Sequence, residues 1–289
     1  MSQVWPSDWL AADFPTARLL SLEYRAPLSS WEGESLPVEV TAVALAEALR
    51  AAGCGQRPLV FVAHSMGGLL VKEMLARSLH AADQLQASSL PNQASDPVGS
   101  AALAASASLV TATRGVLFFA TPHQGSGLAA LGWKLRHLPG TAPAPCLAQL
   151  QPGPHLVALN SVLARLHSRP APPPSPLPAA GLPGTQPLVE GDTARWQQLG
   201  GLRVVSAAEG QPTSLGPLLP AMLIVPRESA HPGFGLQTVL PEHDHVSLCK
   251  PASRDALAYR LVAEMLRDVL REARGGSDRS NGNDEQTAN

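Results

Sequence analysis

Residues 59–72 read LVFVAHSMGGLLVK. An apolar run, Leu59 to Ala63, ends at His64-Ser65-Met66. Two glycines and an amphipathic segment follow. This pattern predicts a strand over 59–63, a sharp turn with Ser65 at its tip, and a helix over 67–79. Such a turn holds a serine hydroxyl in the open at the end of a sheet, where an acyl carbonyl can reach it. The usual elbow is Gly-x-Ser-x-Gly, because the strained serine backbone leaves no room for side chains two positions to either side. Here Ala63 replaces the first glycine, the smallest substitution available. The bland alternative is a strand–helix turn whose serine only caps the helix.

Outward from this stretch the chain alternates short apolar runs with helical patterns. Ala17–Tyr24 (ARLLSLEY) reads as a strand, and Val38–Ala52 as a helix closed by Gly53. Gly115–Ala120 (GVLFFA), Leu202–Ala207 (LRVVSA) and Met222–Val225 (MLIV) read as further buried strands. Asp255–Ala273 is an amphipathic helix, and the polar residues from Gly275 to 289 read as a disordered tail. The Ala/Ser-rich stretch 85–108 reads as a flexible insertion in a domain spanning 1–273. Residues 141–154 and 170–188 are proline-rich loops, and 128–199 is the natural position of a cap or Pro-rich insertion. Strands alternating with helices predict an α/β architecture with a mostly parallel central sheet flanked by helices.

Parallel sheets place their chemistry at the carboxyl ends of the strands. A serine nucleophile needs a base, and the base needs an orienting carboxylate, in the chain order Ser, acid, His. Glu209, next to strand 202–207, suits the acid role; Glu228, after strand 222–225, is its rival. Asp244 is disfavoured because it adjoins the base in sequence. His245, before the final helix, suits the base role, with His243 as the alternative. His64 is read as a residue that packs or hydrogen-bonds locally, and His123 as a structural loop residue lining the site rim. The backbone amide of Met66 is the expected oxyanion donor.

The remaining composition narrows the classes. The chain has 289 residues, is 45% hydrophobic and carries a formal charge of −2, which suits one large domain and no nucleic-acid partner. Cys54, Cys146 and Cys249 form no disulfide framework and no metal-binding spacing, so neither a metal nor another cofactor is expected. No run reaches the roughly 20 apolar residues of a membrane span. The first residues, MSQVWPSDWLAADF, do not read as a signal or transit peptide.

Several segments together resemble a known family. They are WPSDWLAADFPTARLLSLEY (5–24), RAAGCGQRPLVFVAHSMGGLLVKEML (50–75), TRGVLFFATPHQGSGLA (113–129), VPRESAHPGFG (225–235) and PEHDHVSLCKP (241–251). They are similar to the serine-active-site-containing proteins of animals, within the lipase-like α/β-hydrolases. The resemblance supports Ser65 and His245, and places Glu209 where relatives carry a glutamate followed shortly by Pro-Thr. It implies an α/β-hydrolase fold and a serine hydrolase or transacylase acting on lipid acyl esters. It also implies phosphatidylglycerol remodelling and cholesterol trafficking at contacts between mitochondria and endoplasmic reticulum. A thioesterase or lipid-anchor deacylase is the neighbouring enzymatic reading. Relatives are also tied to mitochondrial serine import beside a sideroflexin carrier, so the alternative is a non-catalytic scaffold for a mitochondrial or ER membrane partner. Relatives carry an apolar strand ending in His-Gly-Leu-x-Gly ahead of the Trp5-Pro6 segment, where this chain starts. The expectation is therefore an N-terminally truncated fold, lacking one core strand and the second oxyanion donor.

Overall fold

A computed structural model describes residues 4–24, 36–88, 97–126, 150–169, 201–214 and 220–281. A wide helical turn, Pro6–Leu10, runs into Ala11–Asp13. Helix α1 is Val38–Ala51, strand β1 Leu59–His64, α2 Met66–Ser88 and α3 Pro97–Ala112. Then follow β2 (Thr113–Phe119), α4 (Pro154–His167), β3 (Arg203–Glu209), β4 (Leu236–Leu240) and α5 (Leu257–Asn281). The four strands form one parallel sheet in the order β1-β2-β3-β4.

Successive side chains of a strand point to opposite faces, and this alternation divides the core in two. Phe61, Ala63, Val116, Phe118 and Val204 face α1 to α4. Leu117, Phe119, Val205 and Ala207 face α5 and the N-terminal turn. Strand β3 is buried along its whole length, as a central strand between two helical layers must be. On the first face, buried Ser78 of α2 donates to Ser106 O and accepts from Val110 N, locking α2 to α3. On the second, Trp9 packs edge-on against Tyr259, whose hydroxyl meets Asp13. Helices on both faces of a parallel sheet, with a strand–serine–helix turn, make this an α/β-hydrolase fold.

Several segments depart from the sequence reading. Ala17–Tyr24 is not a strand. A strand needs a neighbour to complete its ladder, and none lies beside it among the described residues; Leu19 and Leu20 are exposed while Leu22 and Tyr24 lean on the core. Met222–Val225 is not a strand either: its contact is a single antiparallel bridge between Met222 and Thr213. Its other backbone groups go to side chains, Ile224 O to the Ser126 hydroxyl and Val225 N to Glu209. The fourth strand is β4 instead, where Gln237 and Thr238 interrupt the apolar run. Helix α4 was hidden by the prolines before it. Pro154 sits in its first turn, where a missing N–H costs nothing, and Leu156, Leu159, Leu163 and Leu166 make its buried stripe.

Within 85–108, read as a flexible insertion, residues 85–88 end α2 and 97–108 lie in α3. Of 128–199, read as cap or insertion, residues 150–169 are described and the rest lie outside the described residues. Of the tail from 274, the backbone is helical to Asn281, and 282–289 lie outside the described residues. Among the described residues no helix is long and apolar enough to cross a membrane.

Candidate active site

Ser65 is the single residue between β1 and α2, and its φ is 52°. A left-handed backbone at a non-glycine residue is strained, and here it turns the chain sharply from sheet to helix. Two hydrogen bonds hold the turn: Ser65 N to Phe119 O at 2.8 Å, and Gly68 N to Ser65 O at 3.0 Å. The closest approach falls on Gly68. A Cβ there would lie 2.0 Å from Thr121 Oγ1 and 2.8 Å from a Phe118 ring carbon. Helix α2 can therefore leave the sheet at this angle only because Gly68 has no side chain.

Of the two partners named from the sequence, His245 meets this serine and Glu209 meets His245. His245 Nε2 lies 2.9 Å from Ser65 Oγ. His245 Nδ1 lies 3.3 Å from Glu209 Oε1, within charge contact but without a hydrogen bond formed by this nitrogen. Glu209 is fully buried at the end of β3, and its Oε1 accepts the Val225 amide at 2.6 Å. The failed strand 222–225 thus serves as a backbone donor that fixes the carboxylate. Glu228 lies in the exposed part of the turn after it. Asp244 is occupied elsewhere: it accepts from the Ser247 hydroxyl and from the Val246 and Ser247 amides. The Ser247 hydrogen bonds hold its carboxyl below the usual range. His243 contributes its carbonyl, which accepts the Gly210 and Gln211 amides at 2.9 and 3.0 Å. Met66 opens α2, so its amide has no carbonyl one turn earlier to donate to.

Two residues that the sequence reading missed or undervalued hold the base in place. The Thr213 hydroxyl accepts the His245 amide at 3.0 Å. His64 Nε2–H donates to the His245 carbonyl at 2.8 Å, and the two imidazoles lie 4.8 Å apart. A carbonyl only accepts, so this bond assigns the His64 proton to Nε2. Burial, and then the neighbouring His245, lower the His64 pKa to about 4 and keep its ring neutral. A Thr two residues past Gln211 and a His before the serine were visible in the sequence, but not their shared target.

His123, read as a rim residue, is completely buried. Its Nδ1 accepts from Lys72 Nζ at 3.3 Å, and Lys72 Nζ also donates to Asn160 Oδ1 on α4. Lys72 itself is 1% exposed, and burial lowers its pKa to about 7.

The chain has relatives along nearly its whole sequence. A zebrafish (Danio rerio) protein named Protein SERAC1 is 32% identical over 277 residues, covering 93% of this chain. The human protein of that name is 30% identical over 271 residues, covering 92% of this chain. SERAC1 proteins are relatives of this chain. It spans 33% of the length of each of these two SERAC1 proteins. No family model matches the chain. Among solved structures, a phospholipase PlaB from Legionella pneumophila superposes with a TM-score of 0.45 at 12% identity, covering 96% of this chain and 59% of that one.

Proposed function

We propose that the chain is the hydrolase region of a lipase-like serine hydrolase or transacylase acting on acyl esters. The observation that carries this reading is the 2.9 Å approach of His245 Nε2 to Ser65 Oγ at a left-handed turn. His245 takes the Ser65 proton as Oγ bonds to the ester carbonyl carbon. The Met66 amide faces the oxyanion that forms. The C–O bond to the leaving alcohol then breaks, and His245 returns the proton to that alkoxide. Water, or a second alcohol, repeats the sequence on the acyl-serine, releasing the acyl group and restoring Ser65. Buried Glu209 stabilises the imidazolium at each transfer.

The substrate class proposed is a lipid acyl ester. The resemblance narrows this to phosphatidylglycerol remodelling, with cholesterol trafficking, at mitochondria–ER contacts. A fluorophosphonate probe tests the chemistry. It is expected to label the wild-type chain and not Ser65→Ala; no labelling of the folded wild type refutes the enzymatic reading.

A second reading is a hydrolase fold kept as a scaffold for a membrane partner such as a sideroflexin serine carrier. It is favoured by the incomplete His245–Glu209 hydrogen bond. Complementation decides: if Ser65→Ala restores a cellular defect as fully as wild type, the scaffold reading holds.

A further inference from the structure

A cavity of about 540 Å³ lies on the α4 side of the sheet, between the loops at His123–Gln124, Pro152–Gly153 and Pro232–Phe234. Ser65, Glu209 and His245 are not among its lining residues. Its wall is apolar at Leu156, Val157 and Phe234, and polar at His123, Gln124, Asn160 and Ser161; no Asp or Glu among the described residues lines it.

Two features at the His123 end call for a ligand. First, Lys72 behind it is a buried cation without a counter-charge among the described residues. Its recorded partners are His123 and Asn160, both neutral, and the adjacent Glu73 pairs with Arg77 at 2.8 Å. Buried charges are normally paired, because desolvation is otherwise uncompensated. Second, the ammonium can only donate, so His123 Nδ1 is an acceptor and its proton sits on Nε2. That Nε2–H is buried and has no hydrogen-bond partner among the described residues. Asn160 closes the arrangement, accepting from Lys72 and donating its Nδ2–H to His123 O at 2.9 Å.

We propose that this cavity is an oxyanion-binding site, whose occupation opens the buried His123 Nε2–H to a phosphate-type oxygen with the Lys72 charge directly behind it. The ligand is a phosphate ester or free phosphate. The cavity has room for a small headgroup, and its apolar wall suits the rest of an amphiphile. Lys72 is seven residues past Ser65, about two helical turns or roughly 10 Å along α2. A phosphate bound here would therefore sit beside the reaction centre without touching it. The site stands on its own geometry and does not require Ser65 to be a nucleophile.

The test uses the full chain carrying Ser65→Ala, so that nothing is turned over. Inorganic phosphate and a short-chain diacyl phospholipid below its micelle concentration are titrated at constant ionic strength, and affinity is read by calorimetry. Lys72→Met and His123→Asn are each expected to weaken binding about 10- to 100-fold, the range of a lost charge-assisted hydrogen bond. His123→Gln, which can still present a donor near Nε2, is expected to recover part of it. Saturation by the phospholipid alone identifies the site with a substrate headgroup; saturation by inorganic phosphate identifies it with a free effector. Circular dichroism melting of each variant separates loss of binding from loss of fold. Equal affinity of Lys72→Met and the Ser65→Ala background for both probes, or binding of neither probe by the folded background, overturns the proposal.

Discussion

His64 and His245 are joined through the main chain: the His64 Nε2–H donates to the His245 carbonyl oxygen at 2.8 Å. The residue before the proposed nucleophile thus anchors the backbone of the proposed base, 181 positions later. Because Thr213 holds the amide of the same residue, His245 is clamped on both sides of its Cα. His64→Ala removes one side of the clamp. The expected result is a kcat lower by about 10- to 100-fold with KM little changed, since small misplacements of a catalytic group carry penalties of that size. His64→Gln, which keeps a donor near the Nε2 position, is expected to recover most of the loss. Steady-state kinetics on a chromogenic short-chain ester checks both.

The same residue gives a pH prediction. His64 has a folded pKa of about 4 against 6.5 for a free imidazole. The unfolded chain therefore binds the extra proton between pH 4 and 6.5, and the folded chain does not. Stability from this group is complete above pH 6.5 and is lost as the pH falls toward 4, by roughly 3 kcal/mol at most. Urea titrations of wild type and His64→Gln between pH 4 and 7 should diverge toward the acid end, with wild type falling more steeply. Parallel curves would show that the ring is not held neutral.

Ser65 carries backbone strain at φ = 52°. Glycine adopts that conformation without a Cβ penalty, so Ser65→Gly is expected to raise stability by about 1 kcal/mol while abolishing probe labelling. Thermal denaturation and fluorophosphonate labelling of the same sample check the pair. A destabilised Ser65→Gly would mean that the serine hydroxyl contributes more to the fold than the strained turn costs.

Glu209 has two duties, accepting the Val225 amide and facing His245 Nδ1. Glu209→Gln keeps an acceptor for the amide and removes the charge. A fold near wild type and a kcat lower by about 10²- to 10⁴-fold are expected. Glu209→Ala also leaves the buried amide unpaired, adding about 1–3 kcal/mol of destabilisation. Denaturant melts separate the two variants. If Glu209→Gln retains full activity, the carboxylate is structural.

Lys72 bears on stability with the same sign of pH dependence, in a higher pH window. Its folded pKa is about 7 against 10.5 unfolded, so the unfolded chain binds more protons between those values. Stability therefore rises as the pH climbs from 7 to 10.5 and the buried ammonium is discharged. The groups around it are His123 from the loop after β2, with His231 beyond, and Asn160 from α4. Burial first, then Lys72 and His231, push the His123 pKa well below 6.5, so its neutral ring titrates outside that window. Lys72→Met is expected to be more stable than wild type at pH 7, by about 1–4 kcal/mol, with a flatter profile to pH 10. A less stable Lys72→Met would show that the Asn160 and His123 contacts outweigh the cost of burying the charge.

Much of the site was legible because its signals are local. The elbow lies within the few residues joining β1 to α2. Serine at 65, the two glycines after Met66 and the apolar run before them specify it with no knowledge of the rest, although the glycine with no room for a side chain is Gly68 rather than the Gly67 of the elbow pattern. The paired order of Glu209 and His245 followed from strand ends. The errors came where local pattern and tertiary need diverge. Met222–Val225 is apolar enough for a strand, yet its backbone is taken by Thr213, Ser126 and Glu209. Ala17–Tyr24 has the composition of a strand and no neighbour to pair with among the described residues. Strand β4, only partly apolar, is a strand because β3 offers it a ladder from Val205 to Glu209.

The sequence by itself determined the turn at Ser65, the strand and helix on either side of it, and the strands β2 and β3. Those depend on steric and hydrophobic preferences that act over a few residues. Only the tertiary structure decided that Glu209 rather than Glu228 faces His245, that His64 and Thr213 clamp the base, and that Lys72 lies buried against His123. Each of those contacts joins residues tens of positions apart. Which of them meet is set by sheet register and by the packing of α2 against α4, and no short window of sequence contains either.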